Sequence, residues 1–178
     1  MTTQYTKLKN INRGYMTLEV WQRSVEMLKI SAGMLSKSDR IDFKLRSQVL
    51  NSIQSISANI AEGYGRRSLP EYLQYLYIAL GSLGETLTRL LGFKKLGYLT
   101  AEDFSQLDAL HYEIENKLIH LVRSLELKKD QKTWNSKISD DLLRESNIEW
   151  AVDPSNPTIH QSINPDEESA GMEKRWIR

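Results

Sequence analysis

Apolar residues recur every three or four positions along nearly all of the chain from Thr17 to about Lys129. This spacing follows the turn of an α-helix, and no stretch alternates apolar and polar residues as a half-buried strand does. Polar or glycine-containing breaks divide the pattern into four stripes, each of which predicts one amphipathic helix. The stripes are Trp21, Val25, Leu28, Ala32 and Leu35; Leu45, Val49, Ile53, Ile56 and Ile60; Leu69, Leu73, Leu76, Leu80, Leu83, Leu87 and Leu90; and Phe104, Leu107, His111, Ile114, Leu118, Leu121 and Leu125.

Residues that favour helix starts lie just ahead of the last three stripes. Asp42 precedes the second stripe. Ser68 with Glu71, and Thr100 with Asp103, have the spacing of a capping box, in which the first side chain accepts a hydrogen bond from the backbone three residues later. The third stripe keeps a 4-3-4-3 spacing over three heptads, which is typical of a coiled-coil seam. Turns are therefore predicted near residues 37–41, 63–68 and 97–100.

Short turns between four helices predict an all-α fold, an antiparallel up-down-up-down four-helix bundle over residues 17–130. Residues 1–16 are interpreted as an N-terminal arm. The helical pattern ends after Asp130, and residues 131–178 are interpreted as a polar, flexible tail. Within the tail, DDLLRESNIEW at 140–150 is compatible with a short helix docked on a partner or with an undocked segment, because such short helices are marginal in water.

The net charge of +1 hides an asymmetry along the chain. Residues 1–132 carry 19 Lys and Arg against 14 Asp and Glu, and residues 133–178 carry 5 against 9. The bundle is therefore basic and the tail acidic. The N-terminus lacks the apolar stretch of a signal peptide and no apolar run is long enough to span a bilayer, so we expect a cytoplasmic protein without a membrane partner.

Residue types that carry catalysis or bind metals are sparse. The chain has no Cys, which excludes disulfides and thiolate chemistry. Asp108 and His111 have the spacing of a di-iron bundle, but such a site needs a second pair and two further acids. Nucleotide-binding glycine loops and serine nucleophile elbows are also absent from the sequence. We therefore expect a protein that is not an enzyme and needs no cofactor or metal.

The stretch NIAEGYGRRS at 59–68 places an acid, two glycines and two arginines at a predicted helix end. Gly63 is interpreted as a left-handed C-cap and Gly65 as a second turning point. Glu62 and Arg66 are one helical turn apart, so a guanidinium can bind the carboxylate. This pair is interpreted as locking the turn or linking protomers, with phosphate binding as the alternative. Arg67, which has no assigned carboxylate, is predicted to be available to a ligand.

Two glycines inside the third helix, Gly81 and Gly84, each cost about 1 kcal/mol relative to Ala. Together with residues 88 and 92 they form a face of small residues on the side of the helix away from the leucine seam. We call it the small face. Close approach of a neighbouring protomer is the favoured explanation, and a bend at Gly81 and Ser82 is the alternative.

Three ordered motifs resemble those of a known family: LEVWQRSVEM (18–27), SISANIAEGYGRRS (55–68) and YLYIALGSLGET (75–86). They are similar to the four-helix-bundle proteins encoded in bacterial 23S ribosomal RNA intervening sequences. The matching residues are Leu18, Val20, Trp21, Ser55, Asn59, Ile60, Ala61, Glu62, Gly63, Gly65, Arg66, Ala79, Gly81, Ser82 and Glu85. We assign a role in the structural turn or the oligomer interface to Trp21, Asn59, Glu62, Gly63, Gly65, Gly81, Ser82, Gly84 and Glu85.

The resemblance implies a ring-shaped homo-oligomer, with a pentamer as the expected assembly. A distant relative, the accessory variability determinant of diversity-generating retroelements, is a similar bundle that binds nucleic acid and assists a reverse transcriptase. By this analogy, RNA or a nucleic-acid enzyme such as a reverse transcriptase is a candidate partner, although a shared fold does not fix a function.

The predicted topology brings basic residues together at one end of the bundle, which we call the basic pole. The candidate nucleic-acid-binding residues there are Arg13, Arg66, Arg67, Arg123, Lys128, Lys129 and Lys132, beside Lys7 and Lys9. The lysines after Leu127 are also explained as complementing the dipole at a helix end, whereas a ring would repeat weak phosphate contacts once per subunit. Two hypotheses result: an oligomer that binds RNA, and an assembly scaffold whose partner is another protein.

Overall fold

The computed structural model of the protein describes Thr6 and residues 11–134. Lys7, Lys9 and the segment at 140–150 lie outside the described residues, as does most of the predicted tail. In the described part of the chain every regular element is a helix, which confirms the predicted fold class. A 3-10 helix over Ile11–Thr17 precedes α1 (Glu19–Leu35), α2 (Phe43–Gly65), α3 (Leu69–Lys95) and α4 (Ala101–Asp130).

Each long helix packs against two others, so the four close into a bundle. α1 contacts α2 and α4, and α3 contacts the same two helices. Tertiary ion pairs reinforce the α1–α4 seam on the surface, where Arg23 donates to Glu113 and Lys117 donates to Glu19 at 2.6 Å. These hydrogen bonds lower the pKa of Glu113 and of Glu19 and raise the pKa of Lys117.

Two of the three predicted capping residues make a capping hydrogen bond at the start of their helix. Asp42 accepts a hydrogen bond from the backbone of Lys44 at 2.8 Å, and Thr100 accepts one from Asp103 at 3.0 Å. Ser68 occupies the N-cap position of α3, but its side chain makes no capping hydrogen bond, so the predicted Ser68–Glu71 box is wrong. Pro70 has no N–H group, which leaves this helix start with one donor fewer to satisfy.

The predicted leucine seam of α3 faces the core. Leu76, Leu83 and Leu90 are fully buried, and Leu80 and Leu87 pack against the core from partly buried positions. A fully buried Leu contributes about 1.5–3 kcal/mol through removal of its surface from water. His111 belongs to this core and its Nε2 lies 2.9 Å from the carbonyl oxygen of Leu83. Its polar ring is therefore satisfied by backbone.

The prediction for the end of α2 is wrong in a specific way. Gly63 is neither a C-cap nor left-handed: it is a buried residue inside α2, which continues to Gly65. A Cβ on Gly63 would lie 2.7 Å from Cβ of Tyr75 and 2.9 Å from Cδ2 of Tyr72. The glycine is needed because α2 and α3 approach closely there. The left-handed residue of this turn is Arg67, with φ of 62°, and Gly65 has no positive φ.

Candidate nucleic-acid interface

Small polar side chains join α2 to α3 along their length. The Asn59 amide donates to the carbonyl oxygen and to Oγ of Ser55, at 2.7 and 3.0 Å. Ser55 Oγ lies 3.0 Å from Ser82 Oγ, and Thr86 donates to Ser52 at 3.1 Å. Ser55 and Ser82 thus connect two helices of one protomer, Asn59 holds Ser55 from within α2, and Ser82 is buried.

Glu62, Arg66 and Tyr75 form a hydrogen-bonded triad on the surface of the same hairpin. Arg66 Nη2 lies 2.7 Å from Glu62 Oε1 and 2.8 Å from the hydroxyl oxygen of Tyr75. That hydroxyl also donates to Glu62 Oε1 at 2.7 Å. The hydrogen bonds from Tyr75 and Arg66 lower the pKa of Glu62, and the bond with Glu62 raises the pKa of Arg66. The predicted ion pair is present within one protomer at the end of α2, and the Tyr75 hydroxyl connects it to α3.

Arg67 is engaged by its own surroundings. Its side chain donates to Asn12 Oδ1, its guanidinium carbon lies 5.7 Å from the centre of the Tyr64 ring, and its carbonyl oxygen accepts a bond of 3.3 Å from Trp134 Nε1. No acid in the described residues pairs with it. The side chain is therefore not free, as its contacts with Asn12 and Tyr64 show, and its availability to a ligand stays a prediction.

Aromatic rings fill the basic pole beneath these arginines. Ring centres are separated by 5.3 Å for Tyr15 and Trp21, 6.1 Å for Tyr15 and Tyr64, 6.0 Å for Tyr64 and Tyr72, and 6.4 Å for Tyr72 and Trp134. These separations suit edge-to-face and tilted pairs. Trp21, predicted as a structural or interface residue, is a partly buried member of this cluster.

Two members of the pole were missed by the sequence reasoning. Trp134 follows the break in the helical pattern and was assigned to the tail, yet it packs on Tyr72. Gly14 was assigned to the arm, yet a Cβ there would lie 2.1 Å from the Tyr64 hydroxyl oxygen. The predicted topology already placed the start of α1, the α2–α3 turn and the end of α4 together, so it offered a signal for the aromatic residues as well as for the basic ones.

The candidate cations at the pole fall into two groups. Arg66 and Arg67 are engaged as described, and Arg13 donates to Thr6 at 3.1 Å. The other four are exposed and form no ion pair with any described residue: Arg123, Lys128, Lys129 and Lys132. These four lie on the last turns of α4 or just beyond its end. Within the basic pole, the charge available to an anionic ligand therefore lies at the end of α4.

The small face of α3 is open to solvent. Gly81, Gly84 and Gly92 are exposed, and a Cβ added to any of them would meet no atom within 4 Å. Exposed apolar side chains lie on the same helix, with Tyr77 50%, Ile78 45% and Leu91 43% exposed. Glu85 instead pairs with Arg89 at 2.6 Å, and Arg89 donates to Gln48 of α2. Nothing within the described protomer explains why glycine occupies positions 81 and 84.

Among the described residues, no group of three or more His, Asp or Glu could hold a metal ion. In the same part of the chain, no helix combines the length and apolarity needed to cross a bilayer.

Comparison with known proteins identifies the family. Residues 16–120, more than half of the chain, match the family described as 23S rRNA-intervening sequence protein. A solved structure of a protein with unknown function, from the S23 ribosomal protein family of Bacteroides thetaiotaomicron VPI-5482, is similar, with a TM-score of 0.55 and 26% sequence identity. The match covers 58% of this chain and 95% of that one. No curated protein matches the sequence. The chain therefore belongs to the 23S rRNA-intervening sequence protein family.

Proposed function

We propose that this protein is a non-catalytic, oligomeric RNA-binding protein of the cytoplasm that contacts RNA through the basic pole. The observation that carries the proposal is the set of exposed cations at the end of α4, which form no ion pair with any described residue: Arg123, Lys128, Lys129 and Lys132. A cation already paired with an acid gains little from a phosphate, whereas an unpaired one releases condensed counterions from the RNA when it binds.

Assembly into an oligomer increases the RNA affinity that these contacts provide. The open small face of α3, around Gly81 and Gly84, supports close packing of a second protomer, because nothing in the described protomer fills it. In a ring each subunit repeats the same four cations, so contacts that are weak singly act together on one RNA. The pentamer implied by the resemblance, and a role as accessory to a nucleic-acid enzyme such as a reverse transcriptase, belong to this proposal.

A charge-removal experiment tests the proposal. Lys128→Gln, Lys129→Gln and Lys132→Gln are combined in one variant, and Lys37→Gln, Arg40→Gln and Lys44→Gln, all exposed at the opposite end of the bundle, form the matched control. Both variants lose three positive charges. We expect the first to bind a labelled single-stranded RNA at least tenfold more weakly than the control does. Equal loss in the two variants would mean that only the overall charge matters, and the basic pole would have no special role.

A protein-binding scaffold is the second candidate function. The exposed Tyr77, Ile78 and Leu91 beside the glycines of α3 favour it, because an apolar face with room beside it suits a helix of another protein as well as a second copy. This function requires no RNA affinity. It replaces the first candidate if the wild-type protein fails to bind RNA at low salt while retaining its assembly.

A further inference from the structure

A surface groove of about 520 Å³ lies between the start of α3 and the end of α4. Its walls include Pro70, Tyr77 and Ile78, and its polar groups include Gln74, Glu126 and Lys129. Most small-ligand sites combine apolar walls with a few polar groups in this way, in a volume of roughly 300–1,000 Å³. The groove lies at the pole where the unpaired cations of α4 are concentrated.

Tyr77 and Glu126 are joined by a hydrogen bond on the surface of the groove. The Tyr77 hydroxyl donates to Glu126 Oε1, which raises the pKa of Tyr77. The ring is half exposed and forms part of the groove wall, so it offers a flat apolar surface to a ligand. Glu126 Oε2 accepts no hydrogen bond from the described residues and remains an acceptor.

The charges in and around the groove orient any nucleotide that enters it. Glu126 and Lys129 both line the groove, where the first repels a phosphate and the second attracts it, and the unpaired Lys128 and Lys132 are close to Lys129 in sequence. A nucleotide in the groove is therefore expected to place its base beside Glu126 and its phosphates on the side of Lys129. Unpaired RNA bases are bound in this manner, by stacking on an aromatic ring and by hydrogen bonds at the Watson–Crick edge.

We propose that the α3–α4 groove binds one unpaired nucleobase of an RNA strand and prefers guanine. The proposal rests on the proposed RNA-binding function and adds a site and a base preference to it. Guanine presents two adjacent donors, N1–H and N2–H, at its Watson–Crick edge, which suits a carboxylate that only accepts: Oε2 is unbonded within the described part of the chain, and Oε1 has a second lone pair beside the one that accepts from Tyr77. Adenine and cytosine place an acceptor next to their amino donor, and uracil places its single donor between two carbonyl oxygens.

The test uses the full chain and four labelled heptanucleotides of uridine that carry guanine, adenine, cytosine or uracil at the central position. We expect the guanine strand to bind about five- to tenfold more tightly than the other three, at the low end of the discrimination that two hydrogen bonds to one base provide. Glu126→Gln should remove this preference. Glu71→Gln is the matched control, because Glu71 is an exposed acid of α3 that does not line the groove.

A second pair of variants tests stacking. Tyr77→Ala should weaken binding of all four strands about fivefold, whereas Tyr77→Phe, which keeps the ring, should retain stacking. Circular dichroism melting of each variant confirms that the bundle still folds.

The possible outcomes distinguish failure of the guanine site from failure of the proposed RNA binding. Binding of all four strands with equal affinity, or a guanine preference that survives Glu126→Gln, overturns the guanine site and leaves RNA binding by the pole intact. Failure of every strand to bind at low salt overturns both. A Tyr77→Ala variant that changes native mass but not RNA affinity assigns the groove to a second copy of the chain and also overturns the site.

Discussion

Gly63 and Tyr75 mark the closest approach of α2 to α3, since a Cβ on the glycine would lie 2.7 Å from the Cβ of the tyrosine. The same tyrosine donates its hydroxyl hydrogen to Glu62. One residue of α3 thus both requires the glycine and uses the acid beside it. Gly63 and Glu62 of the NIAEGYGRRS motif therefore act within the protomer, where they help to pack α2 against α3.

Gly63→Ala should destabilise the protein by about 1–3 kcal/mol, because the added methyl group overlaps the Cβ of Tyr75 rather than the flexible end of a side chain. Gly65→Ala is the matched control. Its Cβ meets nothing within 4 Å and its φ is not positive, so this change should be neutral or stabilising by up to about 1 kcal/mol. Urea unfolding followed by circular dichroism measures both. Equal losses in the two variants would contradict the close-approach explanation.

Arg67→Gly should be less destabilising than Arg67→Ala. Both variants lose the contacts of the side chain with Asn12 and Tyr64, but only glycine adopts a φ of 62° without strain. The left-handed conformation costs other residues about 1–2 kcal/mol. We therefore expect a difference of about 1 kcal/mol in the free energy of unfolding, measured in urea. A more stable alanine variant would show that the backbone conformation of Arg67 is not a constraint.

The four helices and their order could be predicted from the sequence because the periodicity and the caps are local signals. Asp42 and Thr100 fixed two helix starts in this way. The role of Gly63 could not be predicted, since a left-handed C-cap and a close helix approach both require a residue without Cβ. The contact between Arg67 and Asn12 could not be predicted either, because Asn12 lies 55 residues away, in a segment without a clear helical pattern. Long-range contacts of this kind depend on how the helices pack.

The triad of Glu62, Arg66 and Tyr75 should make the protein more stable at neutral than at acid pH. The pKa of Glu62 is lowered in the folded state, so its stabilising contribution is present above the ordinary pKa and is lost as the pH falls through the lowered value. Glu62→Gln should therefore have a lower urea midpoint than wild type at pH 7, with a smaller difference at pH 3. The control Asp108→Asn removes an exposed acid that has no hydrogen-bonded partner among the described residues. A difference that is constant with pH would contradict the assignment.

Gly84→Leu should dissociate the oligomer before it unfolds the protomer. The position is exposed and has room for a side chain in the isolated bundle, so a leucine obstructs only a neighbour packed on α3. Light scattering should give wild type a mass several times the 20.6 kDa of the chain and the variant a mass close to that of one chain. Gly33→Leu, an equally open glycine on α1, should leave the mass unchanged. A monomeric wild type would contradict the proposed assembly.

The dependence of RNA affinity on salt tests the proposed role of the basic pole most directly. Wild type and the variant carrying Lys128→Gln, Lys129→Gln and Lys132→Gln are titrated with one single-stranded RNA at several salt concentrations. Each phosphate contact to single-stranded RNA adds about 0.7 to the slope of log affinity against log salt. We expect the magnitude of the slope to be about 2 smaller for the variant than for wild type, for each protomer that contacts the RNA. The thermal melting and native mass of the variant should stay unchanged. An unchanged slope would contradict the account.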